Sequence, residues 1–225
     1  MKRLAVFSAV LMFCVFSAQA QYTRQQMRDS LKQAADSLMW YPNSIDLRLK
    51  KASWNMQLEQ YDRAKEEYDH ILEQQPDNLA ALFFRAYTNR QLHRNAFARL
   101  DYQHLLTLIP NHFEARLGLA LLSQEEQHLP QALDEVNILV QQHPDSAIAY
   151  AARADIERDM KLMSLAEFDY SEAIRLEPHN TDYIVNLIDI YIRQHNQEKA
   201  LQELRRLQQM GVARKSLQPL YDRLK

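Results

Sequence analysis

The sequence predicts an all-α fold, a solenoid of stacked antiparallel helix pairs. Three observations carry this. Proline recurs at positions 42, 76, 110, 144 and 178, so that every gap is 34 residues. Alanine keeps the same period at 64, 98, 132, 166 and 200, and again at 52, 86, 120 and 154, where Ile188 takes the fifth place. Glycine is nearly absent, with two in 225 residues where average usage gives roughly 15. A fixed period of roughly 20–50 residues marks stacked supersecondary units. The scarcity of glycine predicts few tight turns, no phosphate-cradling loops and few hairpins.

The first 20 residues read as a secretory leader. Lys2 and Arg3 form a basic start, Leu4 to Phe16 is apolar throughout, and Ala18-Gln19-Ala20 supplies a small-x-small cleavage site. Cleavage after Ala20 removes the single cysteine, Cys14, and takes the formal charge from −2 to −4. Phe13 stands where a lipoprotein signal needs a small residue before the cysteine, so acylation at Cys14 is not expected. The expected destination is the bacterial periplasm, and no transmembrane segment is expected in the mature chain. A balanced charge and 25% charged residues give no footprint for nucleic acid.

The elements follow in order. Residues 24–39 carry Met27, Leu31, Ala34, Ala35 and Leu38 at helical spacing and end before Pro42, which predicts a lone helix over 21–44 capping the stack. Then come five units, 45–78, 79–112, 113–146, 147–180 and 181–214. Each holds two helical stretches of about 14 residues. In the second unit the first helix is predicted from about Leu79 to Leu92, and the other from about Asn95 to Leu108. The phased prolines stop the second helix of each unit. Asp77-Asn78, Asn111-His112, Asp145-Ser146 and His179-Asn180 follow them and offer N-caps for the next helix. Pro130 is off-phase and suits a helix start. Residues 215–225 hold a short closing helix, predicted over Ser216 to Leu224.

Ala64-x3-Tyr68 before Pro76, Ala98-x3-Tyr102 before Pro110, and Ala166-x3-Tyr170 before Pro178 resemble the tetratricopeptide-repeat (TPR) pattern. The resemblance spans about three quarters of the chain. The sequence departs from the pattern at the fourth place of the repeat, where a large residue appears only as Leu82, Tyr150 and Ile184. It departs again at the eighth, where alanine replaces glycine, and at Val212, where a sixth proline would fall. The resemblance implies a right-handed solenoid and a role in binding proteins. It also implies that the first helix of each pair lines a concave face. Carried over, that face holds Leu49, Met56, Phe83, Tyr87, Arg90, Leu117 and Leu121 in the first three repeats. In the last two it holds Asp155, Arg158, Asp159, Asp189 and Arg193. The Lys/Asn clamp by which one subtype holds a terminal carboxylate is missing, since Leu49, Ser53, Phe84, Glu114 and Gly118 occupy its places.

No catalytic, cofactor-binding or metal site is expected. The eight histidines, at 70, 93, 104, 112, 128, 143, 179 and 195, form no zinc-binding spacing. Gly118 and Gly211 alone cannot build a dinucleotide fingerprint, a P-loop or a nucleophile elbow. Glu125-Glu126 and the Asp155/Asp159 pair read as helix-face charges. The expectation is a non-enzymatic scaffold or adaptor of the cell envelope. Its partner segment docks on Phe83, Tyr87 and Leu117, with Arg90 and Arg158 on its polar groups. Two alternatives stand beside it, a self-associating structural component and a regulatory subunit of an envelope enzyme or secretion complex.

Overall fold

Helices and short turns make up the described residues, 22–224 of the computed structural model, with no strand among them. The leader, Cys14 and the cleavage site lie outside the described residues. Twelve helices are described: α1 (Arg24–Trp40), α2 (Ile45–Gln57), α3 (Tyr61–Gln74), α4 (Leu79–Gln91), α5 (Asn95–Leu108), α6 (Phe113–Glu125), α7 (Leu129–Gln142), α8 (Ala147–Asp159), α9 (Met163–Leu176), α10 (Thr181–Arg193), α11 (Gln197–Gln209) and α12 (Arg214–Asp222). The chain divides into two compact units, the first ending at Ile71 and the second beginning at Leu72.

The period of the sequence reappears in the helix starts. The first helices of the pairs begin at residues 45, 79, 113, 147 and 181, and the second helices at 61, 95, 129, 163 and 197. The residue before each first helix is the cap. Ser44, Asn78, His112, Ser146 and Asn180 each accept a backbone N–H from the opening turn, which satisfies one of the donors a helix start leaves orphaned.

The turns inside the pairs depart from expectation. Near-absence of glycine does not mean few tight turns. Glu59, His93, Gln127, Lys161 and His195 all take φ between 56° and 65°, again 34 residues apart. Each follows a first helix and closes it with the paired hydrogen bonds of a Schellman motif: Arg94 N–H donates to the Asn89 carbonyl at 2.8 Å and His93 N–H to that of Arg90 at 3.0 Å. Left-handed backbone costs a non-glycine residue about 1–2 kcal/mol, and this protein accepts that cost five times. Gly211, at φ 92°, makes the equivalent turn after α11.

In the first unit, α1 lies along α2, burying Ala34 and Leu38. Helix α3 closes on α2 through the Tyr68 hydroxyl, 2.9 Å from Met56 Sδ. In the second unit each helix from α4 to α11 packs on the next along the chain from α4–α5 onward, and α6 touches α4 and α8 as well. Ala86, Ala98, Ala120, Ala132, Ala154 and Ala166 are fully buried, so small residues let the helix axes approach. A continuous core from Ala147 to Leu217 joins α8 through α12, with Leu217 of α12 covering the last pair. Pro130 sits in the first turn of α7.

Candidate functional site

A charged clasp holds each pair before any surface is presented. The twenty-third place of the repeat is acidic five times, at Glu67, Asp101, Glu135, Asp169 and Glu203. Its cationic partner alternates between two places on the preceding helix. Arg48 reaches Glu67 at 2.8 Å and Arg116 reaches Glu135 at 2.7 Å, both from the fourth place. Arg85 reaches Asp101 at 2.7 Å and Arg153 reaches Asp169 at 2.5 Å, both from the seventh. Glutamate meets the fourth-place arginine and the shorter aspartate meets the seventh-place one. Arg48 and Arg116 also donate to the carbonyls of Pro42 and Pro110, each at 2.8 Å. This explains the fourth-place departures: where Arg48 and Arg116 replace the large apolar residue, they perform the clasp. In the last pair Ile184 and Leu187 occupy both places, and Glu203 turns to Arg206 on its own helix, 3.4 Å away.

On the first-helix face of α4, Phe83 and Tyr87 are half-buried. Phe83 meets Phe84 edge-on with ring centroids 5.1 Å apart and stacks near His112 at 5.8 Å. Arg90, one turn on, crosses to Glu125 of α6 at 2.6 Å. Leu117 and Leu121 are buried, because α6 is packed on nearly every side, and so they support this face from beneath and present little surface of their own. In the first unit Leu49 is half-buried, while Met56 is buried under the Tyr68 hydroxyl.

The face of α8 and α10 is charged, and its charges are already engaged. Asp155 is buried and accepts from the Tyr170 hydroxyl at 2.5 Å and from Arg158 at 2.6 Å. Its other carboxylate oxygen has no hydrogen-bond partner. Burial pushes the Asp155 carboxyl up to about 6, against the opposing pull of Arg158 and the Tyr170 hydrogen bond. Glu157, on the side facing Asp169, is raised to about 7 by burial and by that neighbouring carboxylate, with Arg153 opposing. Burial works to raise Asp189 too, yet hydrogen bonds from Arg193 and Arg223 hold it below the usual carboxylate range. Arg193 lies 2.6 Å from Asp189, and Asp159 accepts from Gln124 at 2.8 Å.

Among the described residues no group of three or more histidine, cysteine or acidic side chains is arranged to hold a metal ion. No helix described is long and apolar enough to cross a membrane.

Periodic pairs, alanine crossings and Schellman turns at one spacing define the TPR α-solenoid fold, and comparison with solved structures agrees. A tetratricopeptide-repeat protein from Parabacteroides merdae matches with a TM-score of 0.69 at 21% identity, over 89% of this chain and 78% of that one. PilW, described as a widely conserved type IV pilus biogenesis factor, matches with a TM-score of 0.73 at 18% identity, over 82% and 86%. YrrB, described as a TPR protein with an unusual peptide-binding site, matches with a TM-score of 0.59 at 15% identity, over 79% and 91%. No family model matches the sequence, and no curated protein does either. This chain therefore has the TPR fold.

Proposed function

We propose that this protein is a non-enzymatic interaction scaffold of the bacterial cell envelope that holds an extended or helical segment of another protein against α4. The observation that carries the reading is the half-buried Phe83–Tyr87 pair beside Arg90, the residue types that dominate binding energy at protein interfaces. The two rings are anchored by neighbours, so a partner meets them with little ordering cost. The engaged charges of Asp155, Arg158, Asp189 and Arg193 serve specificity: a segment reaching them must replace the pairings they already have. The TPR fold supports the reading as a class, since solved proteins with this fold include one described by its peptide-binding site. The basic, apolar and small-residue succession of residues 2–20 supports export to the periplasm.

Two experiments test it. Phe83→Ala with Tyr87→Ala should reduce recovery of the specific partner at least tenfold while the helical circular dichroism is retained; undiminished recovery removes α4 as the docking helix. N-terminal sequencing of periplasmic protein should begin at Gln21, and retention in the cytoplasm with Met1 intact would refute the export reading.

A further inference from the structure

The opposite, second-helix face of the unit beginning at Leu72 carries a pattern that the partner-binding reading does not use. Phe97 and Leu100 project from α5 with 61% of each exposed, and Leu165 and Phe168 from α9 with 53% and 60% exposed. The pairs occupy identical places, 68 residues apart. On α7 between them in sequence the same places hold Gln131 and Asp134, and on α11 they hold Lys199 and Gln202. The remaining exposed residues of α5 and α7 are Ala96, Gln103, Thr107, Leu108, Pro130, Asn137, Gln141 and Gln142. On α9 they are Ser164, Ser171 and Arg175. Across three helices of a chain that is 25% charged, only Asp134 and Arg175 put a charge in the open. By contrast, α11 exposes Glu198, Lys199 and Arg205 on the corresponding face. Loss of charge around aromatic residues is the composition of an interface core.

We infer that a second copy of this chain docks on the α5–α7–α9 face. The area fits. Two rings about 60% exposed, on the ~200 Å² scale of an aromatic side chain, together with the two leucines leave roughly 400 Å² of apolar surface. That is the size at which an exposed patch marks an interaction site, and about half of the ~800 Å² per partner that a stable interface buries. The uncharged residues around the pairs supply the rest. The pairs are also reciprocal. Along the chain α5 reads Phe then Leu, whereas α9 reads Leu then Phe. A twofold axis that lays α5 of one copy over α9 of the other in the same direction sets a ring against a leucine at every contact, which is the self-complementarity an isologous dimer requires. The two exposed charges are opposite in sign and add no net repulsion.

The test is the mass of the purified full-chain product by sedimentation equilibrium over roughly 1–100 µM, which brackets a micromolar Kd. The wild type should pass from monomer to dimer, and Phe97→Glu with Phe168→Glu should weaken the dimer at least tenfold with unchanged helicity. Gln202→Glu, on the corresponding face of α11, should leave it intact. A wild type that stays monomeric throughout overturns the inference, including the case in which this face instead binds phospholipid vesicles. So does a dimer indifferent to the α5 and α9 substitutions. Loss of the dimer with full retention of partner capture separates this face from that of Phe83 and Tyr87, and failure of either reading leaves the other standing.

Discussion

The helix pairs α4–α5 and α8–α9 share a frame and differ in the face they present. Both join their helices by a seventh-place arginine and a twenty-third-place aspartate, Arg85 with Asp101 and Arg153 with Asp169. Both bury alanine at the crossing, at 86 and 98 and at 154 and 166, and both bury a tyrosine beside it, Tyr102 and Tyr170. Both carry arginine at the twelfth place. Yet the fifth and ninth places are Phe83 and Tyr87 in one pair, Ala151 and Asp155 in the other. The ninth place decides what the common arginine does. With Asp155 present, Arg158 folds inward to a buried carboxylate and the Tyr170 hydroxyl. With Tyr87 in that place, Arg90 reaches outward to Glu125 of the next pair. The repeated residues hold the fold, and the residues that break the repeat give each pair its own surface.

The comparison can be broken first at the clasp. Asp169 keeps only 2% of its side chain exposed, and Glu157 already crowds it. Arg153→Ala leaves that charge buried and unpaired and should cost about 3 kcal/mol, more than Arg85→Ala, whose Asp101 is less enclosed at 8%. Chemical denaturation of the two variants checks the ranking. Next comes the support beneath the aromatic face. A Cβ on Gly118 would lie 2.5 Å from the Tyr102 ring, so Gly118→Ala should destabilise by about 1–3 kcal/mol through overpacking despite its better helix propensity.

A pH titration sharpens the contrast between the two ninth places. Asp155 is raised from the model 3.8 to about 6 when folded. The folded state therefore binds more protons than the unfolded one between those values, and stability falls as pH rises through that window. Going from pH 7.5 to 5 should stabilise the wild type by about 1–2 kcal/mol from this group, with Glu157 contributing in the same direction. Asp155→Asn with Glu157→Gln should flatten the dependence, as followed by thermal melts. The smallest effect is local. Lys161→Gly relieves a left-handed residue at φ 65° and should raise stability by up to about 1 kcal/mol, a gain a melting curve resolves.

The helix pairs were legible because proline and alanine mark the period directly. The first helix of the second pair, expected from Leu79 to Leu92, ends at Gln91, and the second runs from Asn95 to Leu108. The Schellman turns were hidden because His93, Lys161 and their counterparts do not share a residue type; the backbone alone repeats there. The acidic series at 67, 101, 135, 169 and 203 was present at the full period, but its arginine partner moves between two places and so shows no simple repeat. The face was the least legible part. Family places put Leu117 and Leu121 on it, whereas neighbouring helices cover α6 and bury both. Burial depends on what lies across from a residue, and periodicity within one helix does not report that.

The central claim is that Phe83, Tyr87 and Arg90 make α4 the docking helix. A photocrosslinking residue at position 87, activated in the native envelope, tests it most directly, with position 202 on α11 as the control. The account predicts one predominant adduct from position 87, none at that mass from position 202, and loss of the adduct in a Phe83→Ala background. Equal labelling from both positions, or an adduct indifferent to Phe83→Ala, would contradict it.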